Sequence, residues 1–325
     1  MKPVSAVVRI IAVGVLLAIA CSVTAQQAYP SRAIRLVTPF PPGGSLDPMT
    51  RMAAGRLTEK WGQPVIVDNR PGGNTIIGTD AVAKSPADGY TFLVAGTPHV
   101  ITPLLMATPY DAIKDFAGVA TLAKSRHVLV INPSLPVNTL QELIALAKAK
   151  PGQLNFSSSG NGNTNHLAGE LMSMLAGIKM QHVPYKGAGP AIADLLGGQV
   201  QLSFQVSISV IPLIKSGKLK AIAISGETRS SALPQVPTMA EAGLPEYELQ
   251  GWTGIFAPAA TPKEIIDRIS GEMAKMLASP DTIEKLVTQG LEPFISTPEQ
   301  FAVLLKSDMA KYAKIIKTAN IKMDN

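Results

Sequence analysis

Ser157 to His166 reads Ser-Ser-Ser-Gly-Asn-Gly-Asn-Thr-Asn-His, a run rich in hydroxyl and amide donors with no carboxylate in it. Ser158, Ser159, Asn161, Asn163 and Thr164 can donate hydrogen bonds, and Gly160 and Gly162 let the backbone come close to a ligand. One apolar run ends at Phe156 and another begins at Leu167, so the stretch reads as a strand-to-helix turn. The unpaired N–H groups of the helix start add a positive dipole end. Its chemistry is that of an anion cradle. The competing reading is a plain Ser/Asn-rich turn that caps the helix through Asn163 or Thr164.

Catalytic chemistry finds less support. Gly160-Asn-Gly-Asn-Thr-Asn165 opens like a dinucleotide fingerprint but places Asn165 where the third glycine belongs. Neither Gly43-Gly44 nor Gly72 to Gly78 leads into the Gly-Lys-Ser/Thr of a phosphate loop, and there is no Gly-x-Ser-x-Gly elbow. The histidines His99, His127, His166 and His182 show no zinc spacing. His99 and His166 fall at the ends of predicted strands and read either as cleft donors or as structural histidines. No nucleophile and base are evident as a pair. No catalytic residue, metal site or cofactor is expected.

Such a cradle needs a scaffold. Ala33 to Thr38, Pro64 to Asp68 and Tyr90 to Ala95 read as strands, each running into a turn: Pro41 to Asp47, Asn69 to Gly78, and Gly96-Thr97-Pro98-His99. Helices are expected from Pro48 to Trp61 and through Ala83. This alternation predicts an α/β fold with a mostly parallel sheet whose loops collect at the strands' carboxyl ends. The same grammar resumes from His127 to Ser225, which predicts a second lobe, and Gly251 to Pro258 reads as a strand crossing back. The expected units are residues 26–123 with 252–325, and residues 124–251, joined by two crossings that suit hinge closure on a ligand. Thr261-Pro262-Lys263-Glu264 predicts a capping box, and Thr297 a cap for the last helix, Pro298 to Lys317.

Residues 1–25 read as a secretory signal peptide: Lys2 and Arg9 precede a short apolar core, and Val23-Thr24-Ala25 offers a cleavage site. Lipoprotein anchoring through Cys21 is the less favoured alternative. Cleavage would remove Cys21, the only cysteine, leaving neither disulfides nor thiol chemistry. Without the leader, 27 basic residues face 23 acidic ones, and no basic block is interleaved with aromatics, so nucleic acid is not an expected partner.

Longer motifs carry a resemblance. They are Tyr29-Pro-Ser-Arg-x-Ile-Arg-Leu36, Pro39-Phe-Pro-Pro-Gly-Gly44 with Asp47, Asn69-Arg-Pro-Gly72, Ala87-Asp-Gly-Tyr90, Ser158-Ser-Gly-Asn-Gly162, His166-Leu-Ala-Gly-Glu170, Val183-Pro-Tyr-Lys-Gly187 and Leu233-Pro-x-Val-Pro-Thr238. In order along the chain, they resemble the Bug-type extracytoplasmic solute receptors of tripartite tricarboxylate transporters. That resemblance implies a periplasmic binding protein-like α/β fold with two lobes, each a mixed, mostly parallel sheet flanked by helices, and a ligand cleft between them. It implies a small carboxylate or aromatic acid as ligand, the transporter's membrane permease subunits as partner, a periplasmic location and a monomer. The implied contacts are Phe40, Pro41, Pro42, Gly43, Gly44 and Ser45, then Gly73, Asn74 and Thr75, then Ser158 to Thr164 with His166 nearby. Gln205 stands where many members carry aspartate, which favours an acidic or uncharged ligand over an amino acid. A periplasmic sensor subunit, or a secreted hydrolase using the same cleft, is the alternative.

Overall fold

The computed structural model describes residues 29–43, 46–247, 249–318 and 321. The expected leader with Cys21, and the expected contacts Gly44 and Ser45, lie outside the described residues.

Alternation of apolar side chains organises both sheets. Along β1 (Ile34–Thr38), Ile34 and Leu36 enter one apolar cluster and Val37 another; along β3 (Thr91–Gly96), Phe92 and Val94 divide in the same way from Leu93 and Ala95. In β5 (His127–Ile131), Val128 and Val130 separate from Leu129 and Ile131. Strands buried on both faces need a layer of helices on each side. Beyond β1, the first lobe's helices are α1 (Asp47–Trp61), α2 (Ile76–Ala83) and α3 (Pro98–Leu105), with β2 (Val65–Asn69) and β4 (Phe116–Ser125) completing its outgoing part. The second lobe continues as α4 (Leu140–Ala149), β6 (Asn155–Ser158), α5 (Thr164–Ala176), β7 (Gln181–Pro184), α6 (Ala188–Leu196), β8 (Leu202–Val206), α7 (Ser207–Lys215) and β9 (Lys220–Ile224). The chain then returns through β10 (Gly251–Pro258), α8 (Lys263–Leu277), α9 (Pro280–Thr288), β11 (Leu291–Pro293) and α10 (Pro298–Thr318).

The two sheets have strand orders β11-β4-β10-β3-β1-β2 and β7-β6-β8-β5-β9. Both are mixed and less parallel than the sequence predicts. Only β2-β1-β3 and β7-β6-β8 run parallel, whereas β10 is antiparallel to both β3 and β4, and β5 to both β8 and β9. The cause is the double crossing. β4 carries the chain out of the first sheet and β10 brings it back, so the two must run in opposite directions, and β5 must leave the crossing against β8.

One apolar cluster runs through both lobes, from Phe156 and Phe204 to Phe256, Phe301 and Tyr312. Phe301 of α10 reaches β4 and β10 because both strands have glycine beneath it: a Cβ on Gly254 would lie 2.4 Å from its Cζ, and one on Gly118 2.7 Å from Cδ1. The cap at Thr297 forms fully, with Thr297 Oγ1 accepting from Gln300 N at 3.2 Å and Gln300 Oε1 accepting from Thr297 N at 2.9 Å. The box expected at Thr261 does not form. Pro262 keeps an extended ψ of 134° and is itself the N-cap, so α8 starts one residue later and Thr261 Oγ1 is left buried without a partner among the described residues.

Candidate functional site

A cavity of about 150 Å³ lies where the two sheets meet. Five helices begin at its wall. From the first lobe come Leu46 at the start of α1, and Gly96, Thr97 and Pro98 at the start of α3; from the second come Asn163, Thr164 and Asn165 of α5, Gly187 and Ala188 of α6, and Val206 before α7. The crossing strands close its floor with Ser125, His127, Gly251, Trp252 and Thr253, while Phe40, Pro41, Ser159 and Leu291 complete the wall. Among the described residues, none that lines the cavity is Asp, Glu, Lys or Arg. Convergent helix starts without formal charge make a field that favours an anion.

The acid nearest this array is already occupied. Asp47, in the first turn of α1, accepts from Gly43 N at 3.2 Å, Arg51 Nε at 2.9 Å and Asn69 Nδ2 at 3.4 Å. Burial works to raise its pKa, but these hydrogen bonds outweigh it and hold the carboxyl below its ordinary value. The buried arginine of the crossing, Arg126, is directed elsewhere: its guanidinium donates to Thr228 and pairs with Glu292. Asp47 offsets the start of α1, while no charged side chain among the described residues lines the cavity at the other four starts.

Trp252 lines the floor, and its ring is packed against Phe256 and Phe301. Its Nε1 donates to Asp308 Oδ2 of α10 at 2.7 Å, its backbone N donates to Thr97 Oγ1 at 3.1 Å, and its carbonyl accepts from Thr97 N at 3.2 Å. Asp308 is itself paired with Lys311 at 2.7 Å.

Of the residues expected at the site, Phe40, Pro41, Ser159, Asn163 and Thr164 line the cavity. The others stand behind it. Ser158 Oγ, fully buried, accepts from Gly160 N at 3.2 Å and lies 2.5 Å from His182 Nε2. The ring of His182 stacks on that of His166 with centroids 3.7 Å apart, and His166 Nδ1 accepts from Gly162 N at 3.0 Å. Ser158, Gly160, Gly162 and His166 thus shape the cradle from inside. A serine–histidine pair is present, contrary to the sequence reading, but the serine is sealed off from the cavity.

His99 corrects the expectation of a loop donor. It lies in the first turn of α3, buried between Phe116 and Phe256, and its Nε2 donates to the Ala112 carbonyl at 2.9 Å. Gln205 is also interior: it is buried, and its Nε2 donates to Ser203 Oγ at 2.8 Å within β8. Pro42 and Gly43 are exposed and do not line the cavity. Gly73, Asn74 and Thr75 form a single 3₁₀ turn outside the lining, yet Asn74 spans the lobes, its Nδ2 donating to the Asn161 carbonyl at 3.2 Å. The residues that sequence reasoning missed are chiefly His127, Trp252, Ala188 and Leu291, of which only Ala188 carried a signal, in its Gly187-Ala-Gly-Pro helix start.

Residues 49–321 match the family model described as the tripartite tricarboxylate transporter family receptor. The chain belongs to this receptor family. BugT of Bordetella pertussis is 39% identical over 308 residues, 94% of each chain. Among solved structures, Rpa4515 of R. palustris with adipate superposes with a TM-score of 0.86 at 35% identity, over 90% of this chain and 99% of that one. MatC from Rhodopseudomonas palustris with bound malate gives 0.82 at 28% identity, over 89% and 100%. The two mixed sheets flanked by helices are therefore the architecture of the tricarboxylate-transporter receptors, and the chain is a solute receptor of that kind. No helix among the described residues is long and apolar enough to cross a membrane.

Proposed function

We propose that this receptor binds a small organic carboxylate in the interlobe cavity and presents it, in the periplasm and as a monomer, to the permease subunits of a tripartite tricarboxylate transporter. The observation that carries this reading is the convergence of five helix starts on a cavity without a charged side chain. A hydrogen bond to a charged group contributes roughly 1.5–3 kcal/mol, so four or five of them offset the cost of association and leave micromolar affinity. The adipate and malate of the related structures are ligands of this chemistry. Neutral donors hold the carboxylate, and catalysis has no part in the proposal.

Thermal-shift titration of the purified protein with mono-, di- and tricarboxylates is the test. A ligand at a hundred times its Kd should stabilise the fold by about 2.7 kcal/mol, raising Tm in a concentration-dependent way. A flat response to every carboxylate, with amines or sugars active instead, would sink the proposal.

The Asn74 bridge leads to a smaller expectation. Asn74 has φ 49° and ψ 49°, a conformation glycine also adopts, so Asn74→Gly should keep the backbone and remove the bond to Asn161 together with the weak contact of Nδ2 to Met106 Sδ at 3.8 Å. Since the bond to Asn161 joins the two lobes, the ligand Kd should rise by up to about tenfold, with Tm of the free protein moving little. Calorimetric titration of the variant checks this, and an unchanged Kd would show that the bridge does not contribute to closure.

A further inference from the structure

Two glycines of the turn from Ser157 to His166 are held from behind by a pair of stacked imidazoles. Gly162 N donates to His166 Nδ1 at 3.0 Å. Gly160 N donates to Ser158 Oγ at 3.2 Å, and that oxygen lies 2.5 Å from His182 Nε2. The two rings are 3.7 Å apart and 6° from parallel, so each histidine supports one glycine of the segment that leads into α5. At that helix start Asn163, Thr164 and Asn165 line the cavity, and His166 is buried behind them.

The bond from Gly162 dictates the protonation of His166. A backbone N–H can only donate, so Nδ1 must keep its lone pair and the neutral ring carries its proton on Nε2. An imidazolium is protonated on both nitrogens and would set N–H against N–H. Glu170 Oε1, one turn along α5, lies 3.7 Å from His166 Nε2 and favours positive charge on this ring of the pair. The other ring resists charge: burial, and then the neighbouring His166, lower the pKa of His182 to about 3. The remaining elements packed on α5 add no charge at this point. β6 and β8 hold no titratable side chain, Tyr247 donates its hydroxyl to the Ala168 carbonyl at 3.0 Å, and Asp308 and Tyr312 of α10 are bonded to Trp252 and to the Gln250 carbonyl.

We propose that His166 is a proton-sensitive positioning residue: its neutral ring holds the anion-binding turn in place, and uptake of a proton frees Gly162 and releases the carboxylate. The inference rests on the carboxylate reading above and adds its regulation, since the receptor then loads at neutral pH and unloads as its surroundings turn acidic. A bound anion attracts the imidazolium and so opposes this effect. That attraction is a single charge acting through the wall, whereas the turn carries donors that touch the ligand.

Calorimetric titration at pH 7.5 and pH 5.5 tests this, with hexanoate, malate and adipate as probes and circular dichroism confirming the fold at each pH. For the tightest probe, the wild-type Kd should rise about tenfold or more on going to pH 5.5. His166→Asn offers an amide oxygen in place of Nδ1, which accepts from Gly162 at any pH and does not titrate. The ratio of its Kd values at the two pH values should therefore be smaller than the wild-type ratio by about tenfold. A merely structural histidine would lower Tm and leave the two ratios equal, any shared change then coming from the probe's own carboxyl groups, and that outcome overturns the proposal. A wild-type Kd that stays level or falls at pH 5.5 overturns it as well. Should His166→Asn fail to fold, NMR titration of the wild-type imidazoles decides: saturation with the probe should lower the titration midpoint of His166 by about one pH unit, and a midpoint that stays or rises counts against the proposal. Failure of every probe to bind wild type at pH 7.5 is a different result: it overturns the carboxylate reading itself.

Discussion

Lowering the pH of the ligand-free protein from 6.5 to 4 should reduce its stability steeply, by about 3 kcal/mol per pH unit in the middle of that range. Three histidines are responsible. Burial lowers the pKa of His99 and of His127 from 6.5 to about 4, and burial, followed by the neighbouring His166, takes His182 to about 3. In this window the unfolded chain binds protons that the folded chain refuses, so stability is fully present above pH 6.5 and is lost as the pH falls toward the folded values. Each fully buried group contributes at most about 1.4 kcal/mol per unit, and half-buried His182 less. Against a total stability of roughly 5–15 kcal/mol, such a slope is enough to unfold the protein near pH 4–5. Urea melts at half-unit steps from pH 7.5 to 4.5 measure it. A midpoint that stays level between pH 6.5 and 5 would refute the neutral burial of these rings.

Introducing a carboxylate at the start of α6 should abolish carboxylate binding while leaving the fold intact. Ala188 is half-buried, lines the cavity and is the first residue of α6. An acid in a first helical turn is favourable to the helix, so Ala188→Glu should melt within a degree or two of wild type. In the cavity, however, its charge competes for the dipoles and repels the ligand, and a like charge juxtaposed with a bound anion costs several kcal/mol. The expected loss of affinity is about a hundredfold or more. Ala188→Gln, equal in size and neutral, separates bulk from charge and should retain a larger share of binding. Equal losses in both variants would mean that the anion sits elsewhere.

The parts of this architecture that were readable in the sequence are those with local causes. The turn from Ser157 to Thr164 is marked by its own glycines and amides, and α1 by Pro48 near its start and Gly62 at its end, where the structure has a left-handed φ of 66°. Thr297 and Thr261 show the limit of local signals. Both begin a Thr-x-x-Glu/Gln pattern, yet only the first closes a box, because the backbone at Pro262 stays extended. The placement of His99 failed because Thr97-Pro98 opens a helix directly after β3, and the apolar Val100-Ile101 that follow carry the histidine into the core. The floor of the cavity was not legible at all. Ser125 and His127 meet Gly251 and Trp252 only because β4 and β10 cross side by side, and Leu291 joins them through β11, which pairs with β4. Proximity across more than a hundred residues leaves no pattern in composition or spacing.

The convergence of helix starts also bears on how such a receptor can evolve. A ligand end grasped by main-chain N–H groups is insensitive to most point substitutions, since every residue except proline supplies the same donor. The grip on a carboxylate survives as long as the helices keep their places. Wall side chains outside the packed core, such as Phe40 and Ala188, can change without removing those main-chain donors. A gene duplicate can therefore explore new cargoes through a few neutral-wall replacements, and arrive at a different diet while inheriting its anion-binding half unchanged.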